Sequence, residues 1–202
     1  AKTVFDVELA ELKSSSKDIN EIEFGQMLAS VKLPELLHIL GEISMSADFK
    51  GLLHNFEAQA KISTAIGDID LIGTSNRDNP QDNITYQAKI NSKQFHIGKF
   101  LGIEILGDGA LKVDAKAKVG DLKNLKCNLV ADLENFNING NRYNSIEIEG
   151  EMYEGVVSAQ CDIFDQAAMV NLNCEMDLMN NMATVLRGDL NEVNLQKMNF
   201  FN

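Results

Sequence analysis

The chain has 202 residues, 45% of them apolar and 24% charged, with a formal net charge of −12. That is one large domain or two small ones, with enough chain to bury a core. The acidic balance gives no basic footprint for nucleic acid, no apolar run is long enough to span a bilayer, and a chain with two prolines and no low-complexity tract is not disordered.

Ala1-Lys2-Thr3 leads straight into alternating sequence, so no signal peptide is expected. Phe5, Val7 and Leu9 predict an opening strand. From about residue 18 to 40 the apolar spacing turns helical, through Ile19, Ile22, Met27 and Leu28, then Leu36, Leu37, Ile39 and Leu40 after Pro34. Gly41 is the stop, so a short helical insert is expected there.

The main sheet is expected over about residues 43–190, and its signal is a period of two. Phe56, Ala58, Ala60 and Ile62 alternate with Glu57, Gln59 and Lys61. A polar loop carrying Pro80 is expected from Thr74 to Asn83. Tyr86, Ala88 and Ile90 follow, alternating with Gln87 and Lys89, and His96 reads as a strand residue. Leu111, Val113, Ala115, Ala117 and Val119 alternate with Lys112, Asp114, Lys116 and Lys118. Leu125, Cys127, Leu129, Ala131 and Leu133 form the next run, in which Val130 breaks the polar set. Val157, Ala159, Cys161 and Ile163 make another, and Val170, Leu172, Cys174, Met176 and Leu178 the last. Successive strand side chains point to opposite faces, so each run has one dry and one wet face, the pattern of an antiparallel sheet. Gly67-Asp68, Gly107-Asp108-Gly109, Gly120-Asp121 and Asn139-Gly140-Asn141 read as tight turns, which makes the sheet a meander.

Chemistry is sparse in this pattern. The three His, at 38, 54 and 96, have no metal-binding spacing, and the three Cys, with no CxxC, read as packing residues with one disulfide left open. Asp68/Asp70 and Glu147/Glu149 are carboxylates two apart on wet faces, where solvation is the ordinary state. No catalytic motif, metal site or cofactor is expected. The 21 Asn are an unusual way to make a sheet surface polar. The dry positions are often small, as at Ala58, Ala60, Ala88, Ala115, Ala117, Ala131 and Ala159, and aromatics make up only 6%. Small side chains leave volume unfilled, which favours an open groove over a closed core. A weak repeat, Tyr86 to Ile97 against Leu129 to Ile138, points to an elongated stacked body.

Several pieces resemble a known family. They are Ala60-Lys-Ile-Ser-Thr-Ala-Ile-Gly-Asp68, Phe95-His-Ile-Gly-Lys-Phe-Leu-Gly102, Leu129-Val-Ala-Asp-Leu-x-x-Phe136, Gly140-Asn-Arg-Tyr-Asn-Ser-Ile-Glu-Ile-Glu-Gly150 and Cys161-Asp-Ile-Phe-Asp165. Together they resemble the β-repeat region of the AsmA-like proteins, in the TamB (translocation and assembly module) branch. The resemblance implies a mainly β fold, an elongated, curved antiparallel sheet or half-pipe with an apolar interior. It implies an internal periplasmic segment of a longer protein anchored in the inner membrane. Such bridges shield or conduct lipids for outer-membrane biogenesis, with an outer-membrane barrel protein as partner in some cases. The expected ligand is a phospholipid or another molecule with acyl chains. The groove residues are then the dry rows: Ala58, Ala60, Ile62, Ala88, Ile90, the run Leu111 to Val119, Cys127, Leu129, Ala131, Leu133, Ala159, Cys161, Leu172 and Cys174. A structural or adhesion-type β-repeat with a closed core and no ligand is the alternative.

Overall fold

A computed structural model describes residues 5–15, 39–52, 54–77, 83–119, 126–165, 169–177 and 183–191. Eleven strands make up nearly all of it: β1 (Phe5–Ser15), β2 (Glu42–Leu52), β3 (Asn55–Thr64), β4 (Gly67–Asn76), β5 (Ile84–Phe95), β6 (Gly109–Val119), β7 (Lys126–Ile138), β8 (Asn141–Tyr153), β9 (Val156–Phe164), β10 (Met169–Asp177) and β11 (Ala183–Asn191). Each pairs antiparallel with its sequence neighbours, in the order β1 to β11. The sheet is curved and unclosed. Among the described residues β1 pairs only with β2, and β11 only with β10.

Local chemistry sets the turns. Asn139-Gly140 joins β7 to β8 with φ of 51° and 79°, and Glu154-Gly155 joins β8 to β9 with φ of 52° and 81°. Two successive left-handed residues are what a tight hairpin needs to match the strand twist. Gly107-Asp108-Gly109 is not a hairpin turn. It closes a longer β5–β6 connection that contains the short helix α1 (Ile97–Leu101). His96 is therefore not a strand residue but the N-cap of α1, its Nδ1 accepting from the Lys99 N–H at 3.2 Å. The helical insert expected at about residues 18–40 lies outside the described residues, except for its last two, which are helical.

The connection holding α1 folds against one end of the sheet, and the best-buried cluster is there. Leu133, Phe136, Tyr143 and Ile146 form it, with Ile97, Leu106 and Leu111 packed on them. Leu133 and Phe136 are three apart, so strict alternation cannot bury both. Asn135 resolves this with a φ of 50°, a left-handed conformation that Asn tolerates better than most residues. An irregularity between Ser92 and Phe95 does the same in β5, and Phe95 is buried too. The two repeat copies thus both depart from regular strand geometry where a phenylalanine is buried at this end of the sheet, β5 by a register shift and β7 by the left-handed Asn135.

Candidate functional site: the apolar face

The ladder register brings the dry residues of separate strands into rows that cross the sheet. Counted from the α1 end, the second row runs Leu9, Ala47, Ala60, Leu71, Ile90, Val113, Ala131, Ile148, Cys161, Leu172, Gly188. The third runs Val7, Phe49, Ala58, Gly73, Ala88, Ala115, Leu129, Gly150, Ala159, Cys174, Leu186. Both cross all eleven strands without a charged residue. The first row includes Met45, Ile62 and Ile69, then, beyond an irregularity in β4–β5, Leu111, Leu133, Ile146, Ile163 and Val170. The fourth includes Phe56, Ser75, Tyr86, Ala117, Cys127, Met152, Val157 and Met176. Among the described residues, every dry residue predicted from sequence falls on these rows except Val119, whose register position, opposite Ile84, lies one pair beyond the fourth; Leu125 and Leu178 lie outside the described residues.

The rows also recruit residues that no single strand announced. Phe49, Phe56 and Tyr86 form an aromatic chain, with ring centroids 5.0 Å and 6.5 Å apart. Between Phe56 and Tyr86 lies β4, whose row positions are Gly73 and Ser75. These small residues leave room for Phe56 to lean across β4 toward Tyr86. Buried Ser75 is satisfied there, its Oγ accepting from the Phe56 N–H at 3.1 Å.

Exposure changes along the strands. Ile146 in the first row is 2% exposed, whereas Leu129 in the third is 38% and Leu186 67%. The α1 connection covers the first row at β6–β8 and leaves Leu129 of the third open to solvent. Glycines permit this cover to sit close. A Cβ on Gly98 would fall on the Leu106 carbonyl, and one on Gly109 would press on Phe136. Asp108 pins the connection from the other side. Its carboxylate accepts from Gln94 Nε2 at 2.6 Å and from Arg142 at 3.2 Å, and these donors hold it below the ordinary aspartate range, the Gln94 bond most of all.

All three cysteines are free thiols on the apolar rows. Burial raises the pKa of Cys127, and burial together with the neighbouring Asp162 raises that of Cys161, so both stay protonated and weakly nucleophilic at neutral pH.

The opposite face is polar. One of its rows reads Lys61, Asp70, Asn91, Lys112, Asp132, Glu147, Asp162, Asn171, Asp189. Here the asparagines find a physical role. Asn171 donates to Asp162 at 2.5 Å, Asn173 to Asn171 at 2.6 Å, and Gln160 to Asp162 at 2.8 Å. Two amide donors thus converge on Asp162, and a third amide extends the chain. Open hollows of about 630 Å³ over β7–β11 and 730 Å³ over β3–β5 are lined chiefly by polar residues of this side, with Leu129, Cys174 and Val185 also lining the first and Ile62 and Ile69 the second. Glu147 and Glu149 are both exposed there, and no group of three or more metal-ligating side chains occurs among the described residues. No helix among them is long and apolar enough to cross a membrane.

Compared with family models, curated proteins and solved structures, the chain matches none.

Proposed function

We propose that the apolar face is the interior of a half-pipe that shields or conducts acyl-chain lipids, as the periplasmic segment of an envelope-spanning bridge serving outer-membrane biogenesis. The observation that carries the reading is the third row, continuous across eleven strands and exposed at Leu129 and Leu186. An apolar strip left open over the width of a sheet is a feature that soluble monomers ordinarily avoid. Ten inter-strand gaps of about 4.8 Å make that strip about 48 Å long, against about 30 Å for the hydrocarbon core of a bilayer. Each methylene withdrawn from water contributes about 0.8 kcal/mol, so acyl chains lying along the rows have ample driving force. Met152 and Met176 in the fourth row add polarisable, flexible side chains that adapt to variable chains. The family resemblance supplies the periplasmic setting and the outer-membrane barrel as partner. The alternative of a closed structural module draws on the covered first row.

Native mass spectrometry and lipid extraction of the gently purified chain separate the two readings. Bound phospholipid, together with slowed alkylation of Cys174 when lipid is present, supports the trough. A lipid-free protein whose cysteines alkylate at the same rate with and without phospholipid micelles favours the closed module.

A further inference from the structure

Among the described residues the sheet ends at β1 and at β11, which pairs only with β10. The polar positions of β11 carry Arg187 and Asp189, one residue to either side of Gly188, and neither makes an ion pair among the described residues. Both are exposed, as is Leu186 between Val185 and Arg187.

We infer that β11 pairs antiparallel with β11 of a second copy, on a two-fold axis through Gly188. Residues opposite each other then have numbers summing to a constant, and only this register matches the charges. Arg187 of each copy lies opposite Asp189 of the other, twice over, while Gly188 meets its own symmetry mate. Shifting the axis to position 187 sets arginine against arginine, and shifting it to 189 sets aspartate against aspartate. A shift by one residue within one strand would turn the polar set onto the apolar face. Directly opposite residues of antiparallel strands share a face, so both apolar faces end on the same side of the joined sheet. The second row, which ends at Gly188, then continues into the second row of the other copy. Opposite charges directly across a ladder favour pairing, and like charges oppose it. With the axis at Gly188 only Val185 to Asn191, seven residues per edge, face a partner, so the dimer is expected at the weak end of specific interfaces. The inference is independent of any lipid.

Sedimentation velocity across a concentration series tests it with charge reversals. The wild-type chain is expected to form a discrete dimer. Arg187→Asp and Asp189→Arg should each weaken it by about tenfold or more, because both symmetric pairs become repulsive. The double variant carrying both reversals restores the attraction and should dimerise like wild type. Mixing the two single variants should yield a heterodimer, since one edge then carries two acids and the other two bases. Circular dichroism of each variant checks that these exposed substitutions leave the fold intact. A wild-type chain that stays monomeric overturns the inference, as does an oligomer indifferent to the single reversals or one that the double variant fails to restore.

Discussion

The two ends of the apolar face are built from the same alternation and end in different states. Near α1, Leu133, Phe136, Tyr143 and Ile146 are buried beneath the β5–β6 connection. Four residues along β7, Leu129 has the same strand geometry and no such cover. Strand pattern therefore decides which face is dry, and a connection decides how much of that face is a core. The covered end supplies stability, and the open end is free to serve something else.

Truncation should expose this difference most sharply. Phe136→Ala removes a nearly fully buried ring, with an expected loss of about 3–5 kcal/mol. Leu129→Ala at the open end should cost about 1 kcal/mol, because more than a third of that side chain is already in water. Urea denaturation of the two variants measures both, and equal losses would remove the distinction between the ends. Next in size is Gly98→Ala, which sets a methyl group against the Leu106 carbonyl and should cost about 1–3 kcal/mol. Its effect belongs to the cover alone, so hydrogen exchange should speed up at the Gly107 and Asn137 amides before β2–β4 respond.

Much of this comparison was legible in the alternation, and the reasons for the rest are specific. The dry set from Phe56 to Cys174 follows from period two alone, because a strand cannot hide which face it buries. Asn139-Gly140 announced its hairpin for the same local reason. Glu154-Gly155 did not, since a glutamate at a left-handed position carries no turn signal. The helix α1 is five residues long, too short for helical periodicity to emerge, so His96 looked like a continuation of β5. The spacing Leu133-x-x-Phe136 departs from strict alternation, but only the left-handed Asn135 shows how both residues join the same core. Register between strands lies outside what one strand can show, which is why Gly73 and Ser75, the residues that let the aromatic chain form, were invisible. The helical insert around residues 18–40 lies outside the described residues, except for its last two.

The open end invites a change that the covered end would not tolerate. Ala115→Asp places a carboxylate in the third row, between Ala88 and Leu129. At a half-exposed position it remains hydrated, and the expected loss is about 1 kcal/mol or less. Acyl-chain binding should nevertheless fall, since every chain lying along the third row would have to desolvate the charge. Photocrosslinking with a diazirine-bearing phospholipid reads this directly. Unchanged crosslinking in a folded Ala115→Asp variant means that the lipid lies elsewhere, the polar-face hollows included.

The smallest expected effect is a pH response confined to the cover. Gln94 and Arg142 hold the Asp108 carboxylate below its ordinary pKa, so the ionised form is favoured in the folded chain. A depressed folded pKa contributes stability that is fully present above the unfolded value near 3.8. That contribution fades as pH falls through the still lower folded value. The group is near the surface and screened by solvent, so the loss should stay below about 1 kcal/mol. Protonation leaves the backbone bond from the Asn137 N–H to the Asp108 carbonyl in place, at 2.9 Å, and loosens only the side-chain pin. Acid should therefore raise hydrogen exchange in the α1 connection while the third row, which Asp108 does not touch, keeps its exchange rates. Asp108→Asn removes the titration and should flatten the response at the covered end. If the two ends of the face loosen together in acid, and do so equally in that variant, the pin lies elsewhere and the cover is not an independent unit.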